Sequence, residues 1–350
     1  MKIQFMTICS AALIFGACTS KLAPVADNAV KPSVVTEQVP NDTDDPAIWV
    51  NPNDSTQVIV IGTDKHEKTG GLYAFDMDGK IINKVTPLDR PNNVDIAYGM
   101  NIGGKIQDIA VLTERGTNMI RVFSLPDLKP LDNGGIPVFE GETERSPMGI
   151  ALYTQKDSTG NKIFAVVGRK TGGPDNYLFQ YELFEDAGQV KAKKVRAFGK
   201  FQGGKEIEAI AVDNELGYIY YSDEGFGIHK YYADPSKGNE ELALFGQKDF
   251  KSDHEGIALY KSSDSTGYIV ISNQQNNSFN IYPREGAQGK PHQHDRVAEV
   301  PVSAIECDGA DAISMPIGTK FPKGMLVAMS NGRVFHYYDW QIFQDSISKK

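Results

Sequence analysis

Cysteine is nearly absent. The chain has 350 residues and three cysteines, two of which, Cys9 and Cys18, fall in the first twenty positions. Only Cys307 lies in the body of the chain, so no intramolecular disulfide framework is available and the fold must stand on burial. Positive charge is in deficit: 36 Lys and Arg against 45 Asp and Glu leave a formal net charge of −9. That balance excludes a general nucleic-acid binder and suits a protein that binds cations. Apolar periodicity of 3.6 residues is almost missing beyond residue 20, which excludes a helical architecture. Turn residues are plentiful instead. Thirty-four glycines and 18 prolines punctuate short apolar runs, the pattern of an all-β fold.

The first residues stand apart. Lys2 precedes a mostly apolar stretch, Ile3 to Ala17, that is too short for a spanning helix. It ends in Gly16 and Ala17 directly before Cys18. That order resembles a bacterial lipoprotein signal, with residues 1–17 removed and Cys18 lipidated. An ordinary secretory signal is the alternative, and either implies export. The lipid would be the only membrane contact, at a membrane facing the periplasm or the cell exterior. Residues 18–33 are small, polar and Pro-containing and read as a flexible tether. The folded domain is then 34–350, expected to be a monomer.

Within it, one motif recurs. Asp45-Pro-Ala-Ile aligns with Val94-Asp-Ile-Ala, Met148-Gly-Ile-Ala, Glu208-Ala-Ile-Ala, Glu255-Gly-Ile-Ala and Asp311-Ala-Ile-Ser. The starts lie roughly 47 to 60 residues apart, the period of propeller blades. Each is followed by a second strand (VIVIGTDK, DIAVLTER, IFAVVGRK, YIYYSDEG, YIVISNQQ, MLVAMSNG) and a third, from GLYAFDM to VFHYYDW. Fourth strands such as GKIINKV and KKVRAFGK are weaker, and none follows VFHYYDW. The spacing predicts a six-bladed β-propeller whose last blade is completed by Ser33 to Val39, closing the ring and covering an edge.

First strands line the channel of a propeller, so Asp45, Val94, Met148, Glu208, Glu255 and Asp311 form a predicted ring around one mouth. Asp44, Asn92, Asn93, Asp95, Asp253 and Asp308 flank it. So many converging carboxylates are costly without a cation. Oxygen donors without clustered Cys or His favour Ca²⁺ over Zn²⁺ or copper. The ends of the second strands form another ring: Asp64-Lys65, Glu114-Arg115, Arg169-Lys170, Asp223-Glu224, Asn273-Gln274 and Ser330-Asn331. Three successive basic slots facing an acidic, metal-loaded wall suit a phosphate ester. His254 lies between Asp253 and Glu255, with a structural role as the simplest reading.

DDPAIW, NNVDIAYG, FQYEL, KKVRAF, GYIYYSDE, DHEGIALY and DGADAI, in this order and spacing, resemble the β-propeller (alkaline) phytases over nearly the whole chain. The resemblance implies several Ca²⁺ ions at the top face and hydrolysis of myo-inositol hexakisphosphate, bound as a calcium complex. It implies metal ligation by Asp44, Asp45, the Val94 carbonyl, Glu208, Glu224, Asp253, Glu255 and Asp308, to which the predicted ring adds Asn92 and Asp311. It implies phosphate binding by Lys65 and Arg115, to which the basic slots add Arg169 and Lys170; catalysis is then expected to be shared by Lys65, Arg115, Arg169, Glu208, Glu224, Asp253 and Glu255. Met148 departs from the family's tyrosine and Arg169 from its lysine, which bears on metal count and substrate preference. Two rivals are a one-calcium propeller lactonase or esterase, which needs no row of basic slots, and a non-catalytic binding propeller.

Overall fold

Val58–Asp64 shows why the chain folds as it does. In VIVIGTD six of seven residues are buried, on both faces of the strand. The second strands Lys105–Glu114, Gly160–Arg169, Tyr218–Asp223, Gly267–Asn273 and Met325–Ser330 are likewise buried through their C-terminal halves or whole length. Apolar residues in continuous runs need cover on both sides of their sheet, which blades stacked around an axis provide. Outer strands have one free side: most of Ile81–Leu88 is only partly buried or exposed.

The computed structural model describes residues 22–157 and 160–348. Among them the chain forms six four-stranded sheets, each antiparallel, arranged as a six-bladed β-propeller. The innermost strands are Thr43–Val50, Pro91–Ile102, Pro147–Asp157, Ile210–Asp213, Ile257–Lys261 and Ala310–Ile313, in blades 1 to 6. The core lies between blades. Phe75 of blade 1, for example, meets Phe335 of blade 6 edge to face with centroids 5.7 Å apart.

The ring closes as expected. Val34–Val35 pairs antiparallel with Val334–Asp339 as the outer strand of blade 6. The ladder runs on beyond that short strand, since the Thr36 and Val39 amides donate to Phe335 and Arg333 carbonyls. On its other side the segment reaches blade 1, where Glu37 accepts from the Ile81 amide at 2.8 Å.

One expectation needs correction. The tether reading does not hold from Ala23 onward. The Ala23 amide donates to the Gln275 carbonyl, Val30 forms a bridge with Val302, and the Val30 side chain is buried in the core shared by blades 1, 5 and 6. Small polar composition conceals the one large apolar side chain that buries, Val30, and an available strand edge. After the last strand, Trp340–Ser348 is a helix that buries Trp340 and Phe343. Trp340 stacks on Tyr260 at 3.7 Å. Nine residues carry too few helical turns for a periodicity argument. The expected signal, Cys18 and the start of the tether lie outside the described residues.

Candidate functional site

Each second strand ends on a buried residue that anchors the loop entering its own blade. Asp64 accepts from the Asp42 amide at 2.7 Å, and Glu114 from the Asp89 amide at 2.8 Å. Arg169 holds Glu142 at 2.8 Å, and Asp223 accepts from the Gln202 amide at 2.7 Å. Asn273 accepts from Lys251 and Ser330 from Ile305 in the same way. The next residue turns the other way, as alternation along an extended chain requires. These are Lys65, Arg115, Lys170, Glu224, Gln274 and Asn331. The first five converge on one mouth of the channel; Asn331 stays outside and bonds Glu306.

The innermost strands supply the floor beneath them. Pro46, Val94, Ile150, Ile210, Ile257 and Ala310 pair with residues two before the anchors. The equivalent residues at the mouth are therefore Asp44, Asn92, Met148, Glu208, Glu255 and Asp308. The Asn92 side-chain amide bridges Asp44 (2.9 Å) and Glu208 (2.6 Å), passing the Met148 slot between them. Gly149 and Gly309 let neighbouring blades approach. A Cβ on Gly149 would lie 1.7 Å from the Glu208 carbonyl oxygen, and one on Gly309 would lie 2.4 Å from Asp45 Oδ1.

Two carboxylate triads stand at this mouth: Glu206, Glu208 and Glu224, and Glu224, Asp253 and Glu255. In each, one oxygen per residue lies within 4.8 Å of the others, and Glu224 belongs to both. Burial and then the negative charge of Asp44 push Glu208 up to about 8. Burial, Glu206 and Glu208 push Glu224 up to about 9. Burial and the neighbouring Asp308 and Glu224 raise Glu255 well above the carboxylate range. Such groups hold protons unless a cation replaces them. Two buried oxygens, Glu224 Oε1 and Asn92 Oδ1, have no hydrogen-bond partner among the described residues. Hard oxygen donors, crowded and incompletely satisfied, fit a divalent metal ion.

Basic residues rim the acids. Lys65 Nζ lies 2.5 Å from Asp44 and 3.0 Å from Asp308. Burial would lower its pKa, but Asp44, Asp308 and Glu208 outweigh burial and raise it. Lys170 pairs with Glu206 and Lys205 with Asp253. Arg115 is half-buried, attracted by Glu206, Glu208 and Asp44 and repelled by Arg90, and its guanidinium makes no hydrogen bond or ion pair among the described residues. A desolvated guanidinium without a partner is a ready anion site.

The sequence model of the phytase family matches residues 4–336. A 3-phytase of Bacillus subtilis (strain 168) is 30% identical over 302 residues, covering 83% of this chain and 75% of that protein. The chain belongs to the phytase family. A chain in the crystal structure of a mitotic checkpoint complex is similar in fold alone, at 10% identity and a TM-score of 0.50 over 95% of this chain and 99% of that one. As a phytase, the protein is an enzyme of phytate hydrolysis.

Several expected residues occupy other places in the phytase. Asp45 sits one level below the mouth, where it accepts from the Val94 amide at 3.1 Å. Val94 lines the channel with it. Asp311 is three residues deeper than Asp308, about 10 Å along an extended chain, and accepts from the Ile48 and Ala312 amides. It fastens blade 6 to blade 1 and stands apart from both triads. Asp95 does the same for blades 2 and 3 through the Leu152 amide. Asn93 lines the channel beside them. The repeat alignment is one residue out in blade 1, two in blade 2 and three in blade 6, because it matches the four-residue apolar motif at the wrong offset, whereas the strand pairing makes Pro46, Val94 and Ala310 equivalent. Arg169 does not stand with the basic residues at the mouth. It holds an anchor position, 4% exposed, with its guanidinium against Phe139, Tyr177 and Phe179. Lys170 takes the inward slot instead. Sequence reasoning misses Glu206 and Lys205, although the i, i+2 spacing of Glu206 and Glu208 in EIE is visible.

Proposed function

We propose that the phytase releases phosphate from myo-inositol hexakisphosphate in a Ca²⁺-dependent reaction, taking its substrate as a calcium complex. The observation that carries this reading is the pair of carboxylate triads sharing Glu224, faced by the free guanidinium of Arg115. Glu206, Glu208, Glu224, Asp253 and Glu255 would hold the ions, with Asp44 and Asp308 beside them. Their all-oxygen donor set favours Ca²⁺. When bound, Ca²⁺ supplies positive charge for the phosphate and lowers the pKa of a neighbouring water.

The chain's own side chains do the rest. Arg115 binds a phosphate oxygen with two parallel N–H donors, and Lys65 and Lys170 neutralise the remaining charge as it shifts to the leaving oxygen. Gln274 orients two of the acids, since its amide nitrogen donates to Glu255 at 2.9 Å and to Asp308 at 2.7 Å. Water attacks phosphorus, the ester P–O bond breaks, and the inositol oxygen leaves and gains a proton. No side chain forms a covalent intermediate. The buried imidazole of His254 is held by Ser222 and Gly225 and does not reach the mouth as a nucleophile. Exported and lipidated at Cys18, the enzyme would act on phytate outside the cytoplasm.

Inorganic phosphate release from myo-inositol hexakisphosphate, measured on the full chain with and without a Ca²⁺ chelator, tests the proposal. Release should stop in chelator and return with Ca²⁺. Release that continues in excess chelator refutes the calcium dependence. A lactonase or a binding propeller would release none under either condition.

A further inference from the structure

The two triads are useful as a pair only if Glu224 keeps its place between them. Its backbone is tied on both sides to the segments that carry its partners. The Glu224 amide donates to the Glu206 carbonyl at 3.1 Å. The next amide, Gly225 N–H, donates to His254 Nε2 at 3.1 Å. His254 lies between Asp253 and Glu255, the other two members of the second triad.

The geometry sets the state of the ring. Nε2 accepts, so Nδ1 carries the proton and the imidazole is neutral. Nδ1–H meets Ser222 Oγ, and Ser222 Oγ donates in turn to the His254 carbonyl. The ring is 2% exposed and packs on Phe250 at 4.5 Å between centroids. One side chain of blade 5 thus grips the Ser222–Gly225 turn of blade 4 at two points. Asp253 and Glu255 face the mouth while the residue between them faces the neighbouring blade.

We propose that His254 is a positioning residue for the metal site, clamping Glu224 at the place where it belongs to both carboxylate triads. The inference rests on the calcium reading above. Its chemistry explains the residue type. A neutral imidazole offers an acceptor and a donor on one rigid ring. It adds no negative charge to a crowded acidic site and no cation to compete with the metal. Outer partners that orient ligands in this way commonly govern metal affinity by about 10–100-fold.

Calorimetric titration of the full chain with CaCl₂ tests it, in the wild type and in His254→Ala, His254→Asn and His254→Gln. Glutamine carries its amide to about the position of Nε2 and can accept from Gly225. Asparagine reaches only the position of Nδ1. The alanine and asparagine variants should need about 10–100-fold more Ca²⁺ for half-saturation of the cluster. The glutamine variant should recover most of the loss. A melting curve in chelator identifies a variant that fails to fold, and the asparagine–glutamine contrast then carries the comparison. Wild-type affinity in the asparagine variant overturns the clamp, as does a glutamine variant no better than alanine or asparagine. A wild type that takes up no Ca²⁺ overturns the calcium reading itself, and the clamp with it.

Discussion

Blades 1 to 3 and blades 4 and 5 place their side chains by the same rule and arrive at opposite chemistry. The residue after the second-strand anchor is Lys65, Arg115 or Lys170 on one side and Glu224 or Gln274 on the other. The device is the same in blades 1 to 5: an anchoring side chain holds the incoming loop, and its successor is delivered to the mouth. The lesson is that the fold specifies slots and leaves their charge open. The acidic half gathers Glu206, Glu208, Glu224, Asp253 and Glu255 at a cost in desolvation and repulsion. The basic half faces it with groups that a phosphate can neutralise.

The acidic half can be broken at its shared member. Glu224→Gln removes a ligand from both triads at once. Phosphate release should fall on the order of 10³-fold, several kcal/mol in the transition state. The same variant should melt higher than the wild type in chelator at neutral pH, because folding no longer has to protonate a buried acid. Assay and melting curve together check this, and a variant that keeps most of its activity removes Glu224 from the site.

The basic half is sharpened by comparing adjacent positions in the strand-end rule. Arg115→Ala removes an inward cation and should cost about 10²–10³ in kcat/KM with little loss of stability. Arg169→Ala removes an anchor. It should leave kcat/KM within a few-fold, yet cost on the order of 2–3 kcal/mol of stability through lost stacking and packing as much as through the Glu142 pair. If both variants lose activity equally and neither loses stability, the division between anchors and inward residues is wrong.

The smallest effect is one of pH. Glu208 and Glu224 sit near 8 and 9 against an ordinary value of 4.5. Folding therefore takes up protons between those limits, and the metal-free protein should lose stability as pH rises from about 5 to 9. Bound Ca²⁺ replaces the protons, so its stabilising effect should grow over the same range. The expected result is a Tm in chelator that drifts down with pH and a Tm in saturating Ca²⁺ that does not. A Tm in chelator that climbs steadily across this range contradicts the buried-acid account.

Much of the fold and part of the site are legible in the residues alone. Runs such as VIVIG and YIYY mark strands covered on both faces, and their recurrence counts the blades. The end of each second strand is correctly placed by the same pattern, so Lys65, Arg115 and Glu224 can be read off directly. The inner ring is harder. Asp45-Pro-Ala-Ile and Val94-Asp-Ile-Ala look like equivalents, but the pairing makes Asp44 and Asn92 the matching residues. A short apolar motif can be matched at more than one offset, so a repeat alignment does not fix which residues pair across the strands. Residues 23–30 mislead for a related reason, since a short apolar contact such as Val30 matters only when a groove is there to receive it.

Local sequence suffices to make this chain a propeller, to stop its strands where they stop and to crowd its mouth with these residue types. Those properties follow from alternation, turn chemistry and repetition, which act over a few residues at a time. Three further outcomes come from tertiary contacts: which of two neighbours faces the axis, the burial of Arg169 among aromatic rings while Lys170 reaches the mouth, and the place of Glu224 between two triads drawn from three different loops. They depend on pairing register and on packing between blades, which join residues tens of positions apart and leave no periodic trace along the chain.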